Sequence, residues 1–127
     1  MSIVKVNVTK LSENVYVREA DGFEYTWDAS TIIQFCKEKK YKTFEIPVSS
    51  INLSMKIWDI DSFYQFIHHA KRVSDVDMSN PIILDEKGVI CDGWHRVAKA
   101  ILNNDESIKA IRMNDMPTYS SKTKINE

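Results

Sequence analysis

The chain has 127 residues, of which 28% are charged, and its 17 basic and 18 acidic side chains give a formal net charge of −1. This balance excludes a protein held to nucleic acid mainly by a basic excess. An aromatic content of 10% excludes an acidic, aromatic-poor disordered chain. The length fits a single domain, 1–127, with one core.

The sequence indicates a cytoplasmic protein without a membrane partner. No apolar run approaches the ~20 residues that span a bilayer. The first residues alternate between apolar and polar, which is not the continuous apolar stretch of a signal peptide. Cys36 and Cys91 are far apart and form no Cys-x-x-Cys pair, so reduced thiols are the simplest interpretation.

The first third of the chain has a period of two, which predicts antiparallel strands at residues 3–9, 14–19 and 22–27. Asp21-Gly22 favours a tight turn between the last two strands. A helix is predicted to begin after an N-cap within residues 28–31 and to end in the basic run 37–42. Residues 1–43 are therefore expected to form a β-rich N-terminal extension.

The middle of the chain predicts one strand and one helix. Residues 44–48 read as a strand, with Pro47 favouring an edge or an end. The helical pattern between Asp59 and Arg72 offers Asp59 or Asp61 as its cap. His68 and His69 are adjacent on this helix, about 100° apart around its axis. We interpret both as surface or boundary histidines, because adjacent residues do not converge on one metal.

The last third adds two strands, a helix and a further strand. Residues 82–84 are apolar on both faces, which predicts a central strand. A turn at 85–88 leads to a strand at 89–91, a helix from about Trp94 to Leu102, and a strand at 108–113. Residues 114–127 are expected to be a loose tail. The whole pattern predicts an α+β fold, a small mixed sheet with two to three helices.

The strand–turn–helix run at 88–101 is the segment most suggestive of chemistry. The first amides of a helix have no intrahelical acceptor and lie at its positive end, so they favour anions. Gly93 allows close approach of a ligand, while His95 and Arg96 offer further donors. Asp92 could cap the turn or accept a proton or a ribose hydroxyl. This predicts a phosphate site of the kind that binds nucleotides.

Each of these residues also has a purely structural interpretation. Asp92 could serve only as an N-cap, and Arg96 could pair with Asp85 or Glu86. Trp94 could belong to the core, since a buried Trp more often packs than stacks on a base. Spacing alone leaves both interpretations open.

Residues 44–113 resemble the ParB/sulfiredoxin superfamily in the order of their elements and in the turn at residues 92–96, Asp-Gly-Trp-His-Arg. In that superfamily the equivalent turn binds nucleotide phosphates. ParB proteins, which bind CTP, have Gly-Glu-Arg-Arg there, and sulfiredoxins, which bind ATP, have Gly-Gly-Cys-His-Arg. A free-serine kinase and DndB-type proteins have Asp-Gly-x-His-Arg. The resemblance implies that Asp92, Gly93, His95 and Arg96 bind the phosphates of ATP or CTP with Mg²⁺.

The departures from the family limit what else the resemblance implies. Trp94 replaces the reactive cysteine of sulfiredoxin, so that chemistry is not expected. No helix-turn-helix domain follows, so nucleic acid is not expected as a main partner. Kinase-like members place a general base near the loop after 46–53, where Asp59 and Asp61 are the nearest acids. Lys56 could replace a basic residue that other members place near the phosphates.

Three functions remain open on this basis. The first is nucleotide binding, with NTP hydrolysis or phosphotransfer, which would suit a phage or mobile-element accessory protein. The second is a non-catalytic protein-interaction module that kept the fold and lost the chemistry, in which the N-terminal strands would supply an edge for a partner. The third is a small nuclease, which would need metal-binding carboxylates clustered near Arg96.

Overall fold

A computed structural model describes Val8 and residues 15–125, which form an α+β fold, as predicted. The predicted strand at 3–9 lies outside the described residues except for Val8. The elements, in chain order, are β1 (Val15–Ala20), β2 (Phe23–Asp28), α1 (Ala29–Lys39), β3 (Phe44–Pro47), a 3-10 turn (Val48–Ser50), α2 (Phe63–Asp75), β4 (Ile82–Leu84), β5 (Ile90–Asp92), α3 (Trp94–Leu102), β6 (Ser107–Arg112) and β7 (Ser121–Lys124). No helix among these residues is long and apolar enough to cross a membrane.

The first sheet is antiparallel with the order β1-β2-β7. The predicted β1–β2 hairpin is confirmed, and Asp21 and Gly22 both take the positive φ of a tight turn. The expectation of a loose C-terminal tail is wrong for β7, which pairs with β2. The tail is held because the Trp27 indole donates a 2.8 Å hydrogen bond to the Pro117 carbonyl, just before β7.

The second sheet is mixed, with the order β3-β6-β4-β5. Strand β4 runs parallel to β6 and antiparallel to β5, and all three of its residues are buried. The prediction of a central strand at 82–84 is therefore confirmed. Strand β4 is apolar on both faces because each face packs against a different part of the core.

Two apolar clusters cover the two faces of the second sheet. On one face α3 packs on β4 and β6, through the buried residues Ile82, Leu84, Val97, Ala100, Ile108 and Ala110. On the other face α1 and β2 meet the sheet, through Trp27, Ile32, Cys36, Ile83, Ile111 and Met113. The described part of the N-terminal extension therefore completes the core of residues 44–113.

The N-cap of helix α2 lies one residue after Asp61 and three residues after Asp59, the two predicted caps. Its N-cap is Ser62, whose hydroxyl accepts from the Gln65 amide at 3.2 Å, while the Gln65 side chain accepts from the Ser62 amide at 3.0 Å. This reciprocal pair satisfies two free amides at once. The expectation that Asp59 or Asp61 caps this helix is therefore wrong. At α1 the N-cap is Asp28, the first residue of the predicted capping segment 28–31, although its side chain makes no capping hydrogen bond.

Candidate functional site

The turn between β5 and α3 has the predicted strand–glycine–helix form. Gly93 is the N-cap of α3 and has a φ of +110°, which favours glycine. A Cβ on Gly93 would lie 2.6 Å from Ile82 Cγ2 and 3.0 Å from Ile82 Cα. Glycine is needed at this position because the start of α3 packs directly on β4. From the sequence, the expected reason was the close approach of a ligand.

Arg96 is directed into the protein, with a side chain only 16% exposed. Its Nε donates to the Asp77 carbonyl at 3.2 Å and its Nη1 to the Pro81 carbonyl at 3.4 Å. The same Nη1 lies 3.5 Å from Asp92 Oδ2. The alternative pairing with Asp85 or Glu86 is therefore wrong. Arg96 holds the segment between α2 and β4 and compensates the charge of Asp92.

Asp92 lies at the end of β5, half-buried beside Arg96. It does not cap α3, because the N-cap is Gly93. Burial raises the pKa of the Asp92 carboxyl, and the nearby Arg96 guanidinium opposes this rise. Asp92 therefore accepts a proton more readily than an exposed aspartate does.

His95, in the first turn of α3, is 5% exposed, and its imidazole stacks against the Trp58 ring. Its Nε2 is 2.9 Å from Nδ1 of His69, and the Trp58 ring stacks on both imidazoles at centroid distances of 4.3 Å (His69) and 4.4 Å (His95). Burial, assisted by the positive charge of Arg72, lowers the pKa of His95 to about 4. The pKa of His69 is also lowered, mainly by burial.

This cluster changes the interpretation of three histidines. His68 is buried, so its assignment to the surface or boundary is wrong, whereas His69 lies at the boundary as predicted. His95 was a predicted phosphate ligand, but its imidazole is engaged with His69. A hydrogen bond between two imidazoles requires one donor and one acceptor, so at least one ring of the pair is neutral. No sequence spacing indicates this pair, because 26 residues separate its members.

A cavity of about 430 Å³ lies beside the Gly93 turn. Three segments line it, residues 15–17 of β1, residues 55–58, and residues 89–94. Of the predicted phosphate-binding residues, the structure brings Lys56, Asp92 and Gly93 to this cavity, while His95 and Arg96 are not among its lining residues. The start of α3 at Trp94 also lines it, so the positive end of the helix borders the cavity.

Asp59 and Asp61, the predicted general bases, follow the lining segment 55–58 and are exposed to solvent. Lys56 Nζ forms an ion pair of 3.1 Å with Asp59 Oδ1, and both side chains are about four-fifths exposed, at 77% and 81%. The hydrogen bond from Lys56 to Asp59 raises the pKa of the lysine. The backbone amide of Asp61 donates to Gln65, next to the α2 cap. Neither aspartate is among the residues that line the cavity.

A buried network around Asp85 fixes two walls of the cavity relative to each other. The carboxylate accepts hydrogen bonds from the Tyr16 hydroxyl at 2.5 Å, from Arg18 at 2.9 Å, and from the backbone amides of Lys87 and Val89. Burial alone would raise the pKa of Asp85, but these donors outweigh it and lower the pKa. Sequence patterns did not identify this network, because its partners in β1 lie far from Asp85 in the chain.

The described residues contain no group of three or more His, Cys, Asp or Glu side chains suited to hold a metal ion. Among the described residues Arg96 is ion-paired with one carboxylate, that of Asp92, and the metal-binding carboxylate cluster required by the nuclease hypothesis is not found in this part of the chain. Comparison with known proteins finds no family model, no curated protein and no solved structure that matches the sequence.

Proposed function

We propose that this protein binds the phosphate groups of a nucleotide in the 430 Å³ cavity beside α3. One observation supports this most directly. The uncapped start of α3, at Gly93 and Trp94, lines the same cavity as Lys56, whose exposed ammonium group is paired with Asp59. Free amides at the positive end of a helix, together with a nearby ammonium group, form a favourable environment for phosphate oxygens.

The rest of the cavity suits the other parts of a nucleotide. Its volume lies within the range of small-molecule sites, roughly 300–1,000 Å³. Tyr16, Trp58 and Trp94 contribute aromatic surface to its lining, against which a base could stack. The resemblance of residues 44–113 to the ParB/sulfiredoxin superfamily also favours a nucleotide, ATP or CTP, at this turn.

The proposed roles differ from those that the resemblance implies. Lys56 and the amides of the Gly93 turn contact the phosphates, while Arg96 and His95 support the turn from inside the protein. Asp92 is the single carboxylate among the described residues that line the cavity. This suits a Mg²⁺ ion that enters with the nucleotide, since such an ion is held mostly by phosphate oxygens and water.

Hydrolysis or phosphotransfer would require a carboxylate beside the bound phosphates. Asp59 is the better placed of the two predicted bases, because it is ion-paired to a cavity residue, Lys56. If it acts in this way, Asp59→Asn removes the release of phosphate and leaves nucleotide binding in place. The assay is phosphate release measured beside a binding titration on the same preparations.

Thermal melting with Mg²⁺ and each of ATP, CTP, GTP and UTP tests the binding proposal. A ligand at 100 times its dissociation constant stabilises the folded state by ~2.7 kcal/mol. We expect one nucleotide to raise Tm, and Lys56→Ala to reduce that rise. Lys71→Ala is the matched control, because Lys71 also forms an exposed ion pair of 3.1 Å, with Asp75 on α2. An unchanged Tm with all four nucleotides would contradict the proposal.

An interaction module is the second candidate, favoured by exposed aromatic residues at the start of α2. Phe63 is 77% exposed and packs only loosely on Phe66, at a ring distance of 6.1 Å, and Phe66 is itself half-exposed. Exposed apolar patches of this kind mark contact surfaces in folded proteins. Sedimentation tests self-association through this patch. Association that depends on concentration and is lost in Phe63→Ser/Phe66→Ser would support it.

A further inference from the structure

A second cavity, of about 480 Å³, lies on the α3-facing side of the second sheet. Its floor is formed by apolar residues of three strands, Phe44 and Ile46 of β3, Leu84 of β4 and Ile90 of β5. Ile51, Met55 and Trp94 also line it, and four of its lining residues are shared with the first cavity, namely Met55, Val89, Ile90 and Trp94. Most of the residues that line this cavity are therefore apolar and lie at the edge of the core.

Three polar side chains line this cavity, and two of them are already engaged. The Ser50 hydroxyl donates to the Pro47 carbonyl at 2.6 Å. The side-chain oxygen of Asn52 accepts from both the amide and the hydroxyl of Ser54. The third is Arg112, the last residue of β6, whose position in the sheet is directly beside Leu84 of the cavity floor.

Arg112 provides the only charged group among the described residues that line this cavity. Its Nη2 donates to the Glu86 carbonyl at 2.6 Å, which holds the guanidinium at the β4–β5 turn. Within residues 15–125 it forms no ion pair with a carboxylate, since the Glu86 side chain is paired with Arg18. The positive charge is thus fixed at the edge of an apolar pocket without a counter-charge.

The geometry points to a binding site for a small amphipathic anion in this cavity, namely a carboxylic acid with an aliphatic or aromatic body. The apolar body would be removed from water on the floor of the sheet. The carboxylate would lie against the planar guanidinium, which matches its two oxygens. A nucleoside triphosphate does not fit this description, because its several charges would meet one cation and an apolar lining.

The test uses 4-phenylbutyrate and its neutral counterpart 4-phenylbutan-1-ol, each titrated by calorimetry into the full chain. We expect the acid to bind at least tenfold more tightly than the alcohol. Arg112→Gln should abolish this preference, and Arg112→Lys should restore part of it. Lys109→Gln is the matched control, because Lys109 is an exposed cation on the same strand, paired in register with Glu45.

Several results would overturn the proposal. Absence of saturable binding of the acid, equal binding of acid and alcohol, or an unchanged preference in Arg112→Gln would each do so. Loss of acid binding in Lys56→Ala, but not in Arg112→Gln, would place the acid in the first cavity and also overturn it. This inference does not depend on nucleotide binding, because Arg112 does not line the first cavity. Lys56→Ala tests the first cavity, and Arg112→Gln tests the second.

Discussion

The Tyr16 hydroxyl donates a 2.5 Å hydrogen bond to Asp85, a carboxylate that is 1% exposed and lies 69 residues further along the chain. The bond joins β1, which lines the first cavity, to the turn that leads into the lining segment 89–94. Burial and this bond to Asp85 raise the pKa of Tyr16 to about 12. The tyrosine therefore remains a neutral donor over the ordinary pH range.

Removal of the Asp85 carboxylate should be strongly destabilising. In Asp85→Ala the Arg18 guanidinium loses one of its two carboxylate partners, and two backbone amides lose their acceptor. We expect the free energy of unfolding to fall by about 3 kcal/mol. Urea denaturation measures it, with Asp105→Ala, at an exposed position, as the control. Equal stability of the two variants would contradict this account of the network.

The two glycines Gly93 and Gly22 should respond very differently to alanine. Both have a positive φ, but a Cβ on Gly93 would overlap Ile82, while a Cβ on Gly22 meets nothing within 4 Å. We expect Gly22→Ala to cost about 1 kcal/mol and Gly93→Ala about 3 kcal/mol or more. Thermal or urea unfolding gives both values. A Gly93→Ala variant as stable as Gly22→Ala would show that α3 does not press on β4.

Arg96 and Asp92 should be energetically coupled. Arg96→Ala leaves the Asp92 carboxylate half-buried without its counter-charge, and it removes the donor to the Asp77 and Pro81 carbonyls. We expect a loss of about 2 kcal/mol. In Arg96→Ala/Asp92→Asn part of this loss should be recovered. A double variant whose loss equals the sum of the two single losses would contradict the coupling.

Stability should fall as the pH is lowered below 6.5. The pKa of His95 is about 4 in the folded protein, whereas an unfolded histidine has a pKa near ~6.5. The unfolded chain therefore takes up its proton first, and the stability present above pH ~6.5 is lost as the pH falls toward 4. The lowered pKa of His69 acts in the same direction.

Urea denaturation from pH 7.5 to 4.5 measures this effect. We expect His95 to contribute a loss on the order of 2–3 kcal/mol over the window. His95→Gln should reduce the slope of stability against pH, whatever its effect at pH 7.5. A slope that is the same in His95→Gln and in wild type would show that the buried imidazole is not the titrating group.

Local sequence patterns predicted the secondary-structure elements that are determined by residues close together in the chain. The β1–β2 hairpin follows from alternation and a turn that accepts positive φ, and β4 is central because its three residues are apolar on both faces. The α2 cap was placed wrongly, because Asp59, Asp61 and Ser62 are all good N-caps. Only the partner Gln65, three residues beyond Ser62, distinguishes them.

Contacts between distant residues could not be predicted from one sequence. Strand β7 is polar and exposed along its whole length, so it lacks the apolar alternation by which strands are found. It forms because its backbone pairs with β2 beside the anchored Pro117 carbonyl. The site was likewise predicted only in part. The Gly93 turn was recognised from its local order, while the internal partners of His95 and Arg96 lie on other elements.

The most direct test of the proposed nucleotide site is the backbone amide spectrum of the ¹⁵N-labelled protein during titration with Mg²⁺ and the nucleotide that raises Tm most. We expect saturable shifts that are largest at the backbone amides of Gly93, Trp94 and Lys56. The affinity for the nucleotide should be about tenfold weaker in Lys56→Ala. Amides of the Gly93 turn that remain unshifted at saturating ligand would contradict it.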